Sequence, residues 1–216
     1  AHPALEKSRV HRRLMAATPR DERVTVHDLY QEYPEFDIDV DREQQLVADH
    51  DVIVLQHPFY WYSSPPLLKE WLDLVLEHGW AYGSEGDALH GKVVLQAISA
   101  GGQASAYCEA GYNRYTIRQY LRPFEGTAHL CGMIYLPPWV VFVTHGLDAG
   151  DIEAWGDAWT RTVQWLLDEG FRDLDPDLDR DALLVEGAGE CAPWPPPGVP
   201  EGVTPGTDIP SESRES

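Results

Sequence analysis

Three clusters of residues in this 216-residue chain have types and spacing suited to chemistry. The first is Ala1-His2-Pro3, followed by Ser8 and then His11-Arg12, at the start of a segment with helical spacing. Backbone N–H groups at a helix N-terminus, the Ser8 hydroxyl and the cations Lys7, Arg9 and Arg12 make a seat for a phosphate. Taken alone, a serine with basic neighbours is also an ordinary helix cap. The second cluster runs His57-Pro58-Phe59-Tyr60-Trp61-Tyr62-Ser63-Ser64-Pro65-Pro66. Four consecutive aromatic residues in a loop cannot all enter one core face, so some must line a cleft or an interface. The third is Ser99-Ala100-Gly101-Gly102-Gln103, whose small residues let the backbone approach a flat ligand closely. A glycine pair by itself would mark only a turn.

Open parallel sheets bind ligands at the carboxyl ends of their strands, so these loops are the places to search. Together they describe a flavin site: the phosphate on the first cluster, the ring along the amides of the second, its polar edge against the third. The stretches His57-Pro58 to Tyr62, Pro65-Pro66-Leu67-Leu68-Lys69-Glu70-Trp71, His78-Gly79-Trp80-Ala81-Tyr82-Gly83 and Leu89-His90-Gly91-Lys92 resemble the NAD(P)H dehydrogenase (quinone) family. Within that family the likeness is to the KefF/KefG-type ancillary proteins of glutathione-regulated potassium-efflux systems. It runs from Ala1 to about Leu167.

The resemblance implies a flavodoxin-like three-layer α/β sandwich around a five-stranded parallel sheet of order 2-1-3-4-5. It implies a flavin phosphate near His2, Ser8, Val10 and His11, and a flavin ring on Pro58, Phe59, Tyr60, Trp61 and Tyr62 and on Ser99, Ala100, Gly101 and Gly102. Tyr107 matches the family tyrosine that hydrogen-bonds the flavin edge and the quinone. Trp80 and Tyr82 match aromatic residues that reach the neighbouring subunit's pocket, which implies a homodimer. The activity implied is oxidation of NAD(P)H by bound FMN or FAD, with a quinone or similar electrophile as acceptor. An ancillary subunit of a potassium/proton antiporter, with the flavin mainly structural, is the alternative. A one-electron carrier of the flavodoxin type is a third reading, although carriers lack the aromatic segment after Gly79.

The chain departs from the family pattern at three places. Asn113 stands where quinone reductases place a histidine beside the tyrosine, so the catalytic pair is Tyr107 with an amide that cannot relay a proton near neutral pH. His11 stands where an asparagine is usual. The apolar strand expected before Ala-His-Pro is missing from the sequence, which leaves the sheet without its first strand.

The elements that must position these loops follow from periodicity. Val10, Leu14 and Ala17 predict a helix over Ser8 to Ala17, and Asp41 to His50 reads as another. Leu67, Leu68, Trp71, Leu72, Val75 and Leu76 share a face over Pro66 to His78, with proline at the entrance and Gly79 just past the end. Tyr115 to Leu130 reads as a helix interrupted at Pro123 and Gly126, and Ile152 to Leu167 as a closing amphipathic helix. Strands are expected over Arg23 to Tyr30, Asp51 to Gln56, Lys92 to Ile98 and Val140 to Thr144. Alternation of this kind implies a parallel sheet covered on both faces.

Composition narrows the partners. A formal charge of −20 disfavours nucleic acid and anionic lipid. Three cysteines with long gaps describe neither a disulfide framework nor a zinc site, and a reducing cytosol is the expected home. No apolar run approaches the roughly 20 residues of a membrane helix, so any membrane association would be peripheral, through a protein partner at the inner face. His50, His78, His90, His129 and His145 have no metal-ligand spacing and read as surface or helix-end residues, so no metal is expected. One domain over 1–170 is expected. Beyond it, residues 171–216 carry eleven acidic against three basic residues and eight prolines, and read as a disordered tail.

Overall fold

The computed structural model describes residues 1–169, in which short helices and parallel strands alternate. The strands are β1 (Val52–Pro58), β2 (Val93–Ser99), β3 (Ile134–Tyr135) and β4 (Trp139–Val141). The helices are α1 (Arg9–Ala17), α2 (Leu29–Glu32), α3 (Val40–Ala48), α4 (Pro66–Val75), α5 (Ile117–Tyr120), α6 (Arg122–Leu130) and α7 (Ala149–Leu167). Strand β2 is central. It pairs with β1 along its whole length, from Val52 opposite Val93 to Pro58 opposite Ser99. On its other side β3 covers its start and β4 its end, both parallel.

Side chains of β2 alternate between two cores, as the period of a strand requires. Val93, Leu95 and Ala97 meet Val10 and Leu14 of α1 and Ile152, Trp159 and Val163 of α7. Ile98 faces the opposite layer, with Leu67, Leu68, Trp71 and Val75 of α4, Leu121 at the head of α6 and Phe124 within it. Helices therefore cover both faces, in the three layers that the sequence implied. Helix α4 starts where it does because Pro66 occupies the first turn, where a missing N–H costs nothing.

Helix α4 ends at Val75 rather than His78, and the structure differs from expectation in four further places. Arg23 to Tyr30 does not form a strand: a turn at Arg23 leads through irregular chain to Asp28, whose carboxylate caps α2 by accepting from the Tyr30 and Gln31 N–H groups. A groove of about 600 Å³ separates it from the free edge of β1, with Val24, Val26 and His27 facing Val52, Val54 and Gln56. A strand needs a neighbour to satisfy its backbone groups, and among the described residues no ladder pairs with this segment. Strand β1, strand β2 and the pair β3/β4 take the 3-4-5 positions of the 2-1-3-4-5 order, so the described residues form ladders at three of the five expected positions. The helix expected over Tyr115 to Leu130 divides into α5 and α6, because Pro123 is accommodated only in a first turn. The last strand ends at Val141 rather than Thr144, since Val143 turns into the left-handed region at φ 54°.

No helix among the described residues is long and apolar enough to cross a membrane, and no group of His, Cys, Asp and Glu among them could hold a metal ion. The acidic tail and its boundary near residue 170 lie outside the described residues.

Candidate active site

Because β1 and β2 end level, the loops that follow them emerge side by side. The Phe59 N–H donates to the Ser99 carbonyl at 2.8 Å, tying the second cluster to the third. His11 Nε2 lies 2.8 Å from Ser99 Oγ, which brings in the first. All three clusters thus converge on Ser99.

The first cluster is built on the start of α1. Ser8 is the cap, its Oγ accepting from the His11 N–H at 3.1 Å. The remaining first-turn N–H groups of a helix have no partner within it. His11 is buried, and its Nδ1 has no hydrogen-bond partner among the described residues. Burial, aided by nearby His2 and the α-amino group, pushes its pKa well below the ordinary histidine value, so the ring is neutral. When the Ser99 hydroxyl donates to Nε2, the ring proton sits on Nδ1 as a buried donor. An orphaned donor beside a helix N-terminus fits an anionic group such as a flavin phosphate. The His2 ring stands 5.3 Å from that of His11 and 6.2 Å from that of Tyr60. Val10 is buried in the α1/α7 core and contributes packing.

In the second cluster the Ser63 N–H donates to the Tyr60 carbonyl at 3.0 Å, closing a tight turn. Its two central residues, Trp61 and Tyr62, have φ of 50° and 63°. Such turns ordinarily use glycine or asparagine, and a bulky residue in the left-handed region costs of order 1–3 kcal/mol. Strain of this kind collects at functional sites. The turn leaves the Trp61 ring 93% exposed, with Tyr60 and Tyr62 also open to solvent, whereas Pro58 and Phe59 are buried. Tyr62 stacks on Tyr120 with ring centroids 4.6 Å apart.

Beneath this loop lies a buried polar relay. Gln96 on β2 donates to His57 Nε2 at 3.2 Å and accepts from the Tyr135 hydroxyl, while His57 Nδ1 faces the Pro58 carbonyl at 3.0 Å. Burial pushes the pKa of His57 down to about 4, so the ring stays neutral and the pattern is fully paired. Gln96→Leu would leave His57 Nε2 and the Tyr135 hydroxyl without a partner. The expected cost is about 2–3 kcal/mol, read as a lower urea midpoint at unchanged slope.

In the third cluster the Tyr107 hydroxyl lies against Gly102. Gly102 has to be small: a side-chain carbon there would stand 3.2 Å from that hydroxyl. Tyr107 is mostly buried, and burial raises its pKa, so it remains a protonated donor at neutral pH. Asn113 lies with other partners: its Oδ1 accepts from the Tyr62 hydroxyl at 3.2 Å and its carbonyl from the Tyr120 hydroxyl at 2.6 Å. Trp80 and Tyr82 are half-buried against the chain's own core, the Tyr82 ring edge-on to His78 with centroids 5.3 Å apart. Sequence reasoning missed a fourth loop, Phe142 to Gly146 after β4, which touches the third. Its place at a strand's carboxyl end was the available signal.

A family model described as the flavodoxin-like fold matches residues 1–163. The chain belongs to that family. Among curated members, it is 51% identical over 152 residues to the uncharacterized NAD(P)H oxidoreductase YrkL of Bacillus subtilis, covering 70% of this chain and 87% of the relative. It is 51% identical over 142 residues to the glutathione-regulated potassium-efflux system ancillary protein KefG of Serratia proteamaculans, covering 66% and 78%. Among solved structures, general stress protein 14 of Treponema denticola in complex with FMN superposes with TM-score 0.70 at 39% identity, over 78% of this chain and 94% of that one. An NADPH-quinone reductase from P. pentosaceus superposes with TM-score 0.68 at 33% identity, over 75% and 93%. The kinship read from the aromatic motifs is borne out, and so is the flavodoxin-like fold.

Proposed function

We propose that this flavodoxin-like protein binds FMN and oxidises NAD(P)H, with a quinone or a similar electrophile as acceptor. The observation that carries the reading is the meeting of the three loops at Ser99, one presenting an anion seat and one a strained aromatic turn. FMN in the Treponema denticola relative supports FMN over FAD. When bound, the flavin supplies two-electron transfer from nicotinamide to acceptor. The chain's own residues do the rest. Ser8, His11 and the start of α1 hold the phosphate. The backbone of Pro58 to Tyr62 and Ser99 to Gly102 lines the ring, and Tyr107 donates a hydrogen bond to charge developing at the ring edge or the acceptor oxygen.

The test is absorbance of the purified protein. A yellow protein that bleaches with NADPH and recolours with a quinone is expected; a colourless or unreactive one overturns the reading. Trp61 is placed against the ring, so Trp61→Ala should lose FMN on extended dialysis. Full occupancy after dialysis would refute that placement.

The fully exposed Trp61 and Tyr112 rings leave aromatic surface uncovered beside the site, which supports a homodimer completed there and, with Trp80 and Tyr82, a shared pocket. Sedimentation at micromolar concentration should give a dimer, and a monomer at all concentrations counts against it. The KefG relative supports a second reading, an ancillary subunit of a potassium/proton antiporter held at the inner membrane face. A flavin unreactive toward every donor and acceptor would favour that reading.

A further inference from the structure

The loop after β4 is anchored to the third cluster at several points. The Ala100 N–H donates to the Val141 carbonyl at 2.8 Å, the Val143 N–H to the Gly102 carbonyl at 3.2 Å, and the Thr144 N–H to the Ala100 carbonyl at 3.4 Å. The Gly146 N–H closes the turn on the Val143 carbonyl at 2.8 Å. Val143 at φ 54° is a β-branched residue in the left-handed region, a conformation of order 1–3 kcal/mol uphill that persists only where its surroundings hold it. Held in that way, the loop carries His145 over Gly101, where an added side-chain carbon would stand 3.4 Å from the ring's Nε2 and Cδ2. Tyr107 occupies the equivalent space at Gly102. The glycine pair is thus flanked by two side chains that carry transferable protons. His145 is exposed and makes no hydrogen bond or ion pair with the described residues, so its ring is free to meet a ligand and open to water.

We propose that His145 is a further catalytic residue, the proton donor to an acceptor reduced over Gly101 and Gly102. The proposal rests on the quinone-reductase reading above. NAD(P)H, H⁺ and a quinone give NAD(P)⁺ and a hydroquinone, so NAD(P)H brings both electrons and one of the two hydrogens. The second is a proton, which a positioned side chain can deliver faster than solvent does. As electrons move into the quinone and its carbonyl π bond becomes an oxygen lone pair, the imidazolium N–H bond of His145 breaks and an O–H bond forms. The neutral imidazole regains its proton from water. This supplies what Asn113 cannot, since an amide does not titrate near neutral pH.

The test compares the parent with His145→Gln and His145→Ala, each loaded with FMN and reduced by NADPH. Reoxidation by 1,4-benzoquinone should slow by about 10- to 100-fold in both variants, toward the lower end of general acid catalysis because water can partly substitute. Added imidazole should rescue His145→Ala and leave His145→Gln unchanged. In the ¹⁵N-labelled parent, both ring nitrogens of His145 should shift when 1,4-hydroquinone is added. Parent-like reoxidation in His145→Gln, or ring nitrogens that do not respond to hydroquinone, overturns the proposal. A parent that reduces no quinone defeats the functional reading instead, and the nitrogen shifts then still decide whether His145 faces the ligand.

Discussion

Glu43→Ala lowers stability by roughly 3–5 kcal/mol and the thermal midpoint by roughly 10 °C, one of the two largest effects expected of a single change in this chain. Glu43 is buried on α3 and is reached by donors from three other segments. His27 Nε2 lies at 2.9 Å, the Tyr33 hydroxyl at 2.6 Å and Trp71 Nε1 at 2.7 Å. Alanine removes the acceptor and leaves three buried or half-buried donors unpaired, each with its own desolvation cost. Glu43→Gln keeps the shape and one acceptor oxygen, and should recover part of the loss. Thermal unfolding at pH 7 checks the order parent, Glu43→Gln, Glu43→Ala; equal midpoints would mean that the hub contributes nothing.

Acid should act on the same hub. Burial alone would raise the pKa of Glu43, but the three hydrogen bonds outweigh it and hold the carboxyl below its ordinary value. A group depressed on folding contributes stability above its unfolded pKa, and that contribution is lost as the pH falls through the folded value. His57 adds in the same direction. Its pKa falls from 6.5 unfolded to about 4 folded, so the unfolded chain takes up the proton first and stability drops as the pH goes from 6.5 toward 4.

Tyr107→Phe should slow acceptor reduction on the order of 10²-fold, the usual loss when one transition-state donor is removed. Its hydroxyl lies against Gly102, and its ring packs edge-on to Phe59 at 6.0 Å and against Phe142 at 5.8 Å. The donor is therefore pre-positioned, and phenylalanine preserves the packing while deleting it. Asn113→Ala should cost much less, because the Asn113 side chain is bonded only to the Tyr62 hydroxyl and acts by orienting it, while the backbone bond to Tyr120 is kept. Stopped-flow reoxidation of the reduced flavin decides between them. Equal rates for Tyr107→Phe and the parent would remove Tyr107 from the chemistry.

Much of the architecture was legible in the sequence. The face of Leu67, Leu68, Trp71 and Val75 with Pro66 at its head specified α4 without reference to any other segment. The apolar runs at Val52 and Val93 specified β1 and β2, and therefore the places where the second and third loops must begin. Spacing, caps and apolar runs act over a few residues, which is why they can be read locally. Pairing and burial of polar groups are settled between residues far apart, and tertiary structure alone decided them. Val24 and Val26 have a strand's composition, but a ladder depends on pairing with another segment, and among the described residues they pair with none. Glu43 reads as a solvated helix residue until Trp71, 28 positions away, arrives over it. Gln96 likewise looks out of place in an apolar run until His57 and Tyr135, each 39 residues distant, supply its partners. His145 reads as one surface histidine among several, because its place over Gly101 depends on a strained turn at Val143 that hydrogen bonds to another loop hold in place.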